Sequence, residues 1–187
     1  QSLGEKVAPV ASWTIKRAWA GYAFSELEAA GYTVTSAYTA VRNPEQTRFL
    51  YRDMLWEGAD MLGLGVASFS HIGGTHFQND HDFGPYIAKV RQGRLPIYRA
   101  LTPTDEERMI REFILQMKLG HIENDYFQRK FGVDIQERFA GSLKELGQQG
   151  FLKLDREGLR LSGEGLLRVD SLLPNFYLPR HRDASPS

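Results

Sequence analysis

The spacing of apolar positions changes character near residue 100. Before it, short helical and extended patterns take turns; after it, the period is almost entirely helical. In YAFSELEAAGY, residues 22–32, Phe24, Leu27 and Glu28 fall at helical spacing and Gly31 is placed to stop the helix. YTVTSAYTAV follows, rich in β-branched and aromatic residues, and predicts a strand over 32–38. PEQTRFLYRDMLWEG opens on Pro44, suited to a first helical turn, and closes on Gly58, with Phe49, Leu50, Met54 and Trp56 as its apolar content. ADMLGLGVAS is a short buried run, read as a further strand that leads into a loop. Helix, strand, helix, strand is the rhythm of a parallel α/β sheet. Two strands do not make a stable sheet, so residues 1–79 read as the closing portion of something larger.

Residues 80–100 read as a connector with a short helix over 86–91. The texture is then helical. TPTDEERMIREFILQMKLG holds a capping box, Thr104 with Glu107, and an apolar stripe of Met109, Ile110, Phe113, Ile114 and Met117. ENDYFQRKFG predicts a short helix stopped by Gly132. VDIQERFAGSLKELGQQG carries a second box, Asp134 with Glu137, buries Phe139, Leu143 and Leu146, and ends at Gly150. FLKLDREGLRLS reads as a hairpin turning at 155–158, and GEGLLRVDSLLP as a last helix stopped at Pro174. Three helices, a hairpin and a closing helix describe a winged-helix-like domain over 101–178, with 179–187 as a frayed tail.

Composition narrows the chemistry. The chain of 187 residues carries 23 basic and 23 acidic side chains, so no net basic field draws it to nucleic acid or anionic lipid. No apolar run approaches the roughly 20 residues of a membrane helix, and the first residues show no signal peptide, which places the chain in the cytoplasm. The abrupt start, without Met, suggests a fragment. Cysteine is absent, which excludes thiol catalysis and any zinc or iron–sulfur site needing Cys ligands from these residues.

The run GLGVASFSHIGGTHFQN, residues 63–79, is too rich in glycine for a helix and too apolar for a solvent loop. Either its bare backbone lets a ligand approach, or it is a tight turn that lets two elements pack. Neither the dinucleotide nor the phosphate-loop pattern is present, and Ser68 and Ser70 do not sit in G-x-S-x-G. His71 and His76, with Asp80, His81 and Asp82 nearby, could gather a metal, but NDHD reads better as a solvated turn and a hydrogen-bonded loop histidine as the better role. His121 suits a helix end. Arg48, Arg52, Arg94 and Arg99 could bind carboxylates, though each alone reads as a surface charge. A recognition helix over 134–149 mixes Arg138 and Lys144 with Asp134, Glu137 and Glu145, as the hairpin mixes Lys153, Arg156 and Arg160 with Asp155 and Glu157, so DNA binding is the lesser reading.

With these segments in order, the sequence resembles oxygen-independent coproporphyrinogen III oxidases and their relatives, which are radical S-adenosylmethionine enzymes. The resemblance rests on GYTVTSAYTAVRNPE, WEGADMLGLGVASFSHIGGTHFQN, Tyr86, Gly93, the Leu95–Pro96 pair, LTPTDEERMIREFILQMKLG, FGVDI, GFLKLD and RLSGEGLLRVDSLLPNF, over roughly residues 20–178. It implies the last α/β units of an incomplete (β/α) barrel, followed by a helical C-terminal domain. It implies S-adenosylmethionine beside Ala40 or Val41 and beside Ala67, Ser68 and Phe69, with a tetrapyrrole substrate and an electron donor for a [4Fe–4S] cluster. The family's three-cysteine motif is missing, so this chain alone cannot cleave S-adenosylmethionine reductively. The resemblance implies oxidative decarboxylation of coproporphyrinogen III in the full-length protein. The same motifs occur in heme-trafficking proteins and methyltransferases, and a winged-helix interaction module without catalysis is a third reading. An isolated barrel remnant would expose apolar surface and self-associate.

Overall fold

A computed structural model describes residues 10–182. Helix α1, Trp13–Ala29, starts where the Ser12 hydroxyl accepts from the Ile15 N–H, earlier than the 22–32 pattern indicates, and ends before Gly31 at φ 84°. Strands β1, Thr33–Ser36, and β2, Thr39–Val41, form an antiparallel hairpin. Helix α2 is Leu50–Trp56, and β3, Phe69–Ile72, with β4, Thr75–Asn79, forms a second hairpin. Helix α3, Phe83–Arg91, leads to β5, Ile97–Leu101, which pairs antiparallel with β4.

The parallel rhythm read from the sequence is therefore not the pairing formed. Every strand pair described is antiparallel. The pairs β1–β2, β3–β4 and Leu152–Leu154 with Gly158–Leu161 reverse in short turns, too short for the crossover a parallel pair needs. The pairs β4–β5 and His121–Glu123 with Gly158–Leu161 are antiparallel across longer connections that contain helices. The extended run 32–38 breaks at Ala37, because the Ser36 hydroxyl accepts from the Tyr38 N–H and meets Thr39 Oγ1 at 2.6 Å. Gly73 and Gly74, at φ 55° and 77°, make the two-residue reversal between β3 and β4 that L side chains resist. Residues 59–68 form no strand, only a bridge from Met61 to His71. The helix expected over 44–58 begins only at Leu50; the preceding residues turn, with the Gln46 N–H bonded to the Asn43 carbonyl, and Phe49 offers no capping side chain. Residues 80–100 supply both α3 and a sheet strand rather than a bare link.

The second half is built on α4, Asp105–Met117. Its capping box is present as the sequence predicts: the Glu107 N–H reaches Thr104 Oγ1 and Glu107 returns to the Thr104 N–H at 2.8 Å. Then come β6, His121–Glu123; α5, Asn124–Phe131, stopped by Gly132 at φ 67°; α6, Ile135–Arg138; and α7, Ala140–Gln148. The expected single helix over 134–149 breaks at Phe139, at φ −113° and ψ 21°, whose ring turns into the core. Strands β7, Leu152–Leu154, and β8, Gly158–Leu161, form the predicted hairpin, and β6 adds to it in the order β6–β8–β7. Strand β6 is too short to carry an alternation signal; His121 lies at its start, opposite Arg160. The closing segment is α8, Gly163–Leu167, then α9, Val169–Leu172, and a 3-10 turn, Leu173–Phe176. Helix α10, Pro179–Arg182, covers the start of the expected tail, and residues 183–187 lie outside the described residues.

The buried core belongs almost wholly to this half. Met109, Phe113 and Met117 of the predicted stripe meet Phe127, Ile135, Phe139, Leu143, Leu159, Val169 and Phe176. Phe113 is its centre, with ring centroids 4.5 Å from Phe139, 4.9 Å from Phe176 and 5.9 Å from Phe127. By contrast α1 and α2 bury no residue fully. The first hairpin is tied to the core by the Ala37 N–H to the Lys118 carbonyl at 2.8 Å, and by the Tyr38 hydroxyl donating to Asp170. No helix among the described residues is long and apolar enough to cross a membrane.

Candidate functional site

The glycine-rich segment is a hairpin with a sewn loop at its base. Asn79, at the end of β4 and 5 % exposed, donates through Nδ2 to the carbonyls of Gly63 at 3.1 Å and Gly65 at 3.0 Å. The Ser70 hydroxyl accepts from the Gly63 N–H, the Tyr86 hydroxyl from the Gly65 N–H, and Ser68 Oγ donates to the Leu64 carbonyl. A Cβ on Gly63 would stand 2.2 Å from the carbonyl oxygen of Phe69, so the chain's own backbone already demands glycine there. Ala67 sits at φ 59°, an unusual conformation for a residue with a side chain, held by its N–H to the Asp80 carbonyl and by Gln78 Nε2 on its own carbonyl.

Of the residues singled out from the sequence, Ala67, Ser68 and Phe69 lie together where this loop enters β3, with the Phe69 ring 58 % exposed. Ala40 and Val41 lie on β2, opposite Val34 and Thr33, and no hydrogen bond described joins them to the loop. The loop presents an apolar ring and bare backbone, Phe69 shares a groove with the charged Arg99, and a chain without cysteine offers no thiolate for an iron–sulfur cluster. His71, His76, Asp80, His81 and Asp82 do not gather: Asp80 faces Lys89 at 2.8 Å, and His81 packs on Tyr98. Of the four arginines considered, Arg52 pairs with Asp53 and lies over Phe49 and Trp56, while Arg99 bonds to Gln78 and Arg94 to Gln92.

A different cluster converges beneath the hairpin. His71, Gly74, Arg108, Arg111, Glu112 and Lys130 line a cavity of about 300 Å³ between the β3–β4 turn, the end of α2, and helices α4 and α5. Glu112, 5 % exposed, accepts from the Tyr126 hydroxyl at 2.6 Å and from Lys130 Nζ at 2.9 Å on both oxygens. Burial, and then the Glu112 carboxylate, push the Tyr126 hydroxyl well above the ordinary tyrosine range. Arg108 is paired with Asp105. Arg111 has no hydrogen bond or ion pair among the described residues, and burial lowers its pKa. His71 is 4 % exposed and its Nδ1 is buried without a partner. Burial first and Arg111 second lower the pKa of both His71 and His76, so both imidazoles are neutral at pH 7.

Sequence reasoning passed over Arg111, Glu112 and Lys130. The available signal was charge within the stripe: Arg111 and Glu112 stand between the buried Ile110 and Phe113. A carboxylate there needs an internal partner. Lys130 supplies it from α5, and spacing along the chain carries no trace of that contact.

The described residues form a mixed helix-and-sheet unit, most of whose core lies in the carboxyl half. Residues 104–168 match the HemN C-terminal domain family. Over 127 residues the chain is 32 % identical to the oxygen-independent coproporphyrinogen III oxidase of Pseudomonas aeruginosa, covering 64 % of this chain and 27 % of that one. The enzyme of the same description from Helicobacter pylori (strain 26695) is 26 % identical over 144 residues, covering 74 % and 31 %. The heme chaperone HemW of Bacillus subtilis is 25 % identical over 122 residues, covering 65 % and 32 %. Among solved structures, coproporphyrinogen III oxidase (HemN) from Escherichia coli, described as a radical SAM enzyme, aligns over 83 % of this chain and 39 % of its own with a TM-score of 0.66 and 18 % identity, a likeness of fold. The chain is thus similar to oxygen-independent coproporphyrinogen III oxidases, with residues 104–168 matching the HemN C-terminal domain. It spans 27 % to 32 % of the length of the curated relatives named here.

Proposed function

We propose that this chain is the C-terminal part of a radical S-adenosylmethionine protein acting on a tetrapyrrole, with oxygen-independent oxidative decarboxylation of coproporphyrinogen III as the reaction. The observation that carries this reading is the 32 % identity to the Pseudomonas aeruginosa enzyme over 127 residues. Residues 10–79 would complete the end of a (β/α) barrel whose other strands pair with β1 from outside this chain. Residues 101–178 would form a winged-helix-like cover, for which the order α4, β6, α5, α6, α7, β7, β8 and the sheet order β6–β8–β7 are the support. The cover's task is to keep water from a reactive intermediate. Ala67, Ser68 and Phe69, with Ala40 or Val41, would contact S-adenosylmethionine through backbone and one apolar ring. The [4Fe–4S] cluster would be held by cysteines outside this chain and reduced by a separate electron donor, which leaves binding and water exclusion as the work of these residues.

The match to HemW favours a second reading, heme binding without turnover. The test is the full-length protein reconstituted anaerobically with iron and sulfide, then given reductant and S-adenosylmethionine. Release of 5′-deoxyadenosine that rises with a porphyrinogen, and falls on Phe69→Ala, is the expected result. An intact cluster with no nucleoside, and one heme bound per chain, overturns the decarboxylase in favour of the chaperone.

A further inference from the structure

The guanidinium of Arg111 lies on the rim of two unlike spaces. One is the polar cavity shared with His71, Arg108 and Lys130. The other is an apolar groove of about 260 Å³ lined by Leu101, Pro103, Ile110, Ile114 and Leu178, with Arg111 at its end. We infer that Arg111 anchors the carboxylate of an amphipathic ligand whose apolar body lies in that groove.

Three observations converge on this assignment. First, the acids around the polar cavity are already engaged: Glu112 holds Lys130 and Asp105 holds Arg108, which leaves Arg111 as the cation without an anion. Arg111 is partly buried and, among the described residues, without a hydrogen-bonded partner, and a bound carboxylate would give its guanidinium a two-point hydrogen bond. Second, His71 brings a nearly fully buried imidazole to the same cavity with Nδ1 unpartnered, a second polar group that protein atoms do not satisfy. Third, the groove's own carboxylate is neutralised. Glu107 is held by the Thr104 N–H, by Arg180 and by His181 at 2.9 Å, and these contacts, the Thr104 N–H foremost, lower its pKa to about 2. It therefore leaves no free negative charge to repel an anionic ligand.

The ligand's shape follows from the two volumes. The groove is at the small end of the range for ligand pockets, so it takes one ring or a short aliphatic body with a single acidic arm, not a large planar molecule whole. On the reading proposed above, and resting on it, that piece is one pyrrole ring of a tetrapyrrole with its propionate.

The test is titration of the chain with coproporphyrin, followed by porphyrin fluorescence, with octanoate and inorganic phosphate as competitors, in the wild type, Arg111→Gln and Arg111→Lys. Arg111→Gln leaves no protein partner unpaired, and an unchanged near-UV circular dichroism spectrum verifies its fold; Arg111→Lys keeps the charge and serves should the neutral variant unfold. The expected result is coproporphyrin binding that weakens about tenfold or more in Arg111→Gln and less in Arg111→Lys, displaced by octanoate and not by phosphate. Porphyrin binding indifferent to Arg111 overturns the anchor and leaves the tetrapyrrole reading standing. Octanoate binding that depends on Arg111, with no porphyrin bound, keeps the anchor and removes the tetrapyrrole. Displacement by phosphate as readily as by octanoate overturns the amphipathic ligand, and no binding of any probe overturns the site.

Discussion

The imidazoles of His71 and His76 face each other across the β3–β4 ladder, their centroids 4.3 Å apart and their planes tilted by 44°. Burial first and Arg111 second disfavour a charge on either ring, and at His71 the carboxylates of Asp60 and Glu112 compensate only in part. Both pKa values lie below the ordinary 6.5 in the fold, so the unfolded chain binds protons that the folded chain refuses. The stability this contributes is complete above pH 6.5 and is lost as the pH falls below it towards the folded values. The urea midpoint is expected to drop between pH 7.5 and pH 5.5, and His71→Asn with His76→Asn to flatten that drop. An equal drop in the double variant would show that other groups are responsible.

Asn79 is the stitch of the glycine loop. Asn79→Ala strands two carbonyls and is expected to destabilise the chain by about 1–3 kcal/mol. Hydrogen exchange resolves the effect: amides of residues 63–68 are expected to lose protection while those of α4 keep theirs. Uniform loss across both would mean that the stitch supports the whole fold.

Removing Glu112 tests the buried pair. Lys130 is 40 % exposed at its side chain and turns to water when its partner is gone, so Glu112→Ala is expected to cost about 2–4 kcal/mol, below the full penalty of an abandoned buried charge. Glu112→Gln retains an acceptor for Tyr126 and is expected to cost less. Denaturant unfolding of the two variants ranks them, and equal costs would show that charge alone matters.

The helix α1 leaves Trp13, Trp19 and Tyr22 each more than 60 % exposed. Exposed aromatic surface of this extent associates in water. The 187-residue chain is expected to sediment as concentration-dependent oligomers, and Trp13→Gln with Trp19→Gln to shift it towards monomer. A monomer at all concentrations in the wild type would show that these rings stay solvated.

What could be read from the chain follows the physics of range. The cap at Thr104, the stripe through Phe113, the stop at Gly132 and the turn at 155–158 are local, and each stands where its residues indicate. Strand partners are not local. The run 32–41 carries β propensity but no statement of direction, and only the Ser36 and Thr39 hydroxyls fold it back on itself. The pair Gly73–Gly74 turns β3 into β4, the tight turn that is one of the two readings open for this run, and glycine spacing alone does not separate it from a loop bared for a ligand. The polar cavity was illegible for a related reason: its members come from β3, the hairpin turn, α4 and α5, and only the folded chain brings them together.

The three sheets share no strand. The hydrogen bonds that join the first hairpin and the end of α2 to the rest are few and peripheral: Ala37 to Lys118, Tyr38 to Asp170, and Glu57 to Tyr126 and Lys130. A rotation of residues 13–101 against the carboxyl half would break these and leave every ladder whole. Such a rotation would reshape the cavity that Arg111 lines, because His71 and Gly74 come to it from one side of that division and Arg108, Glu112 and Lys130 from the other.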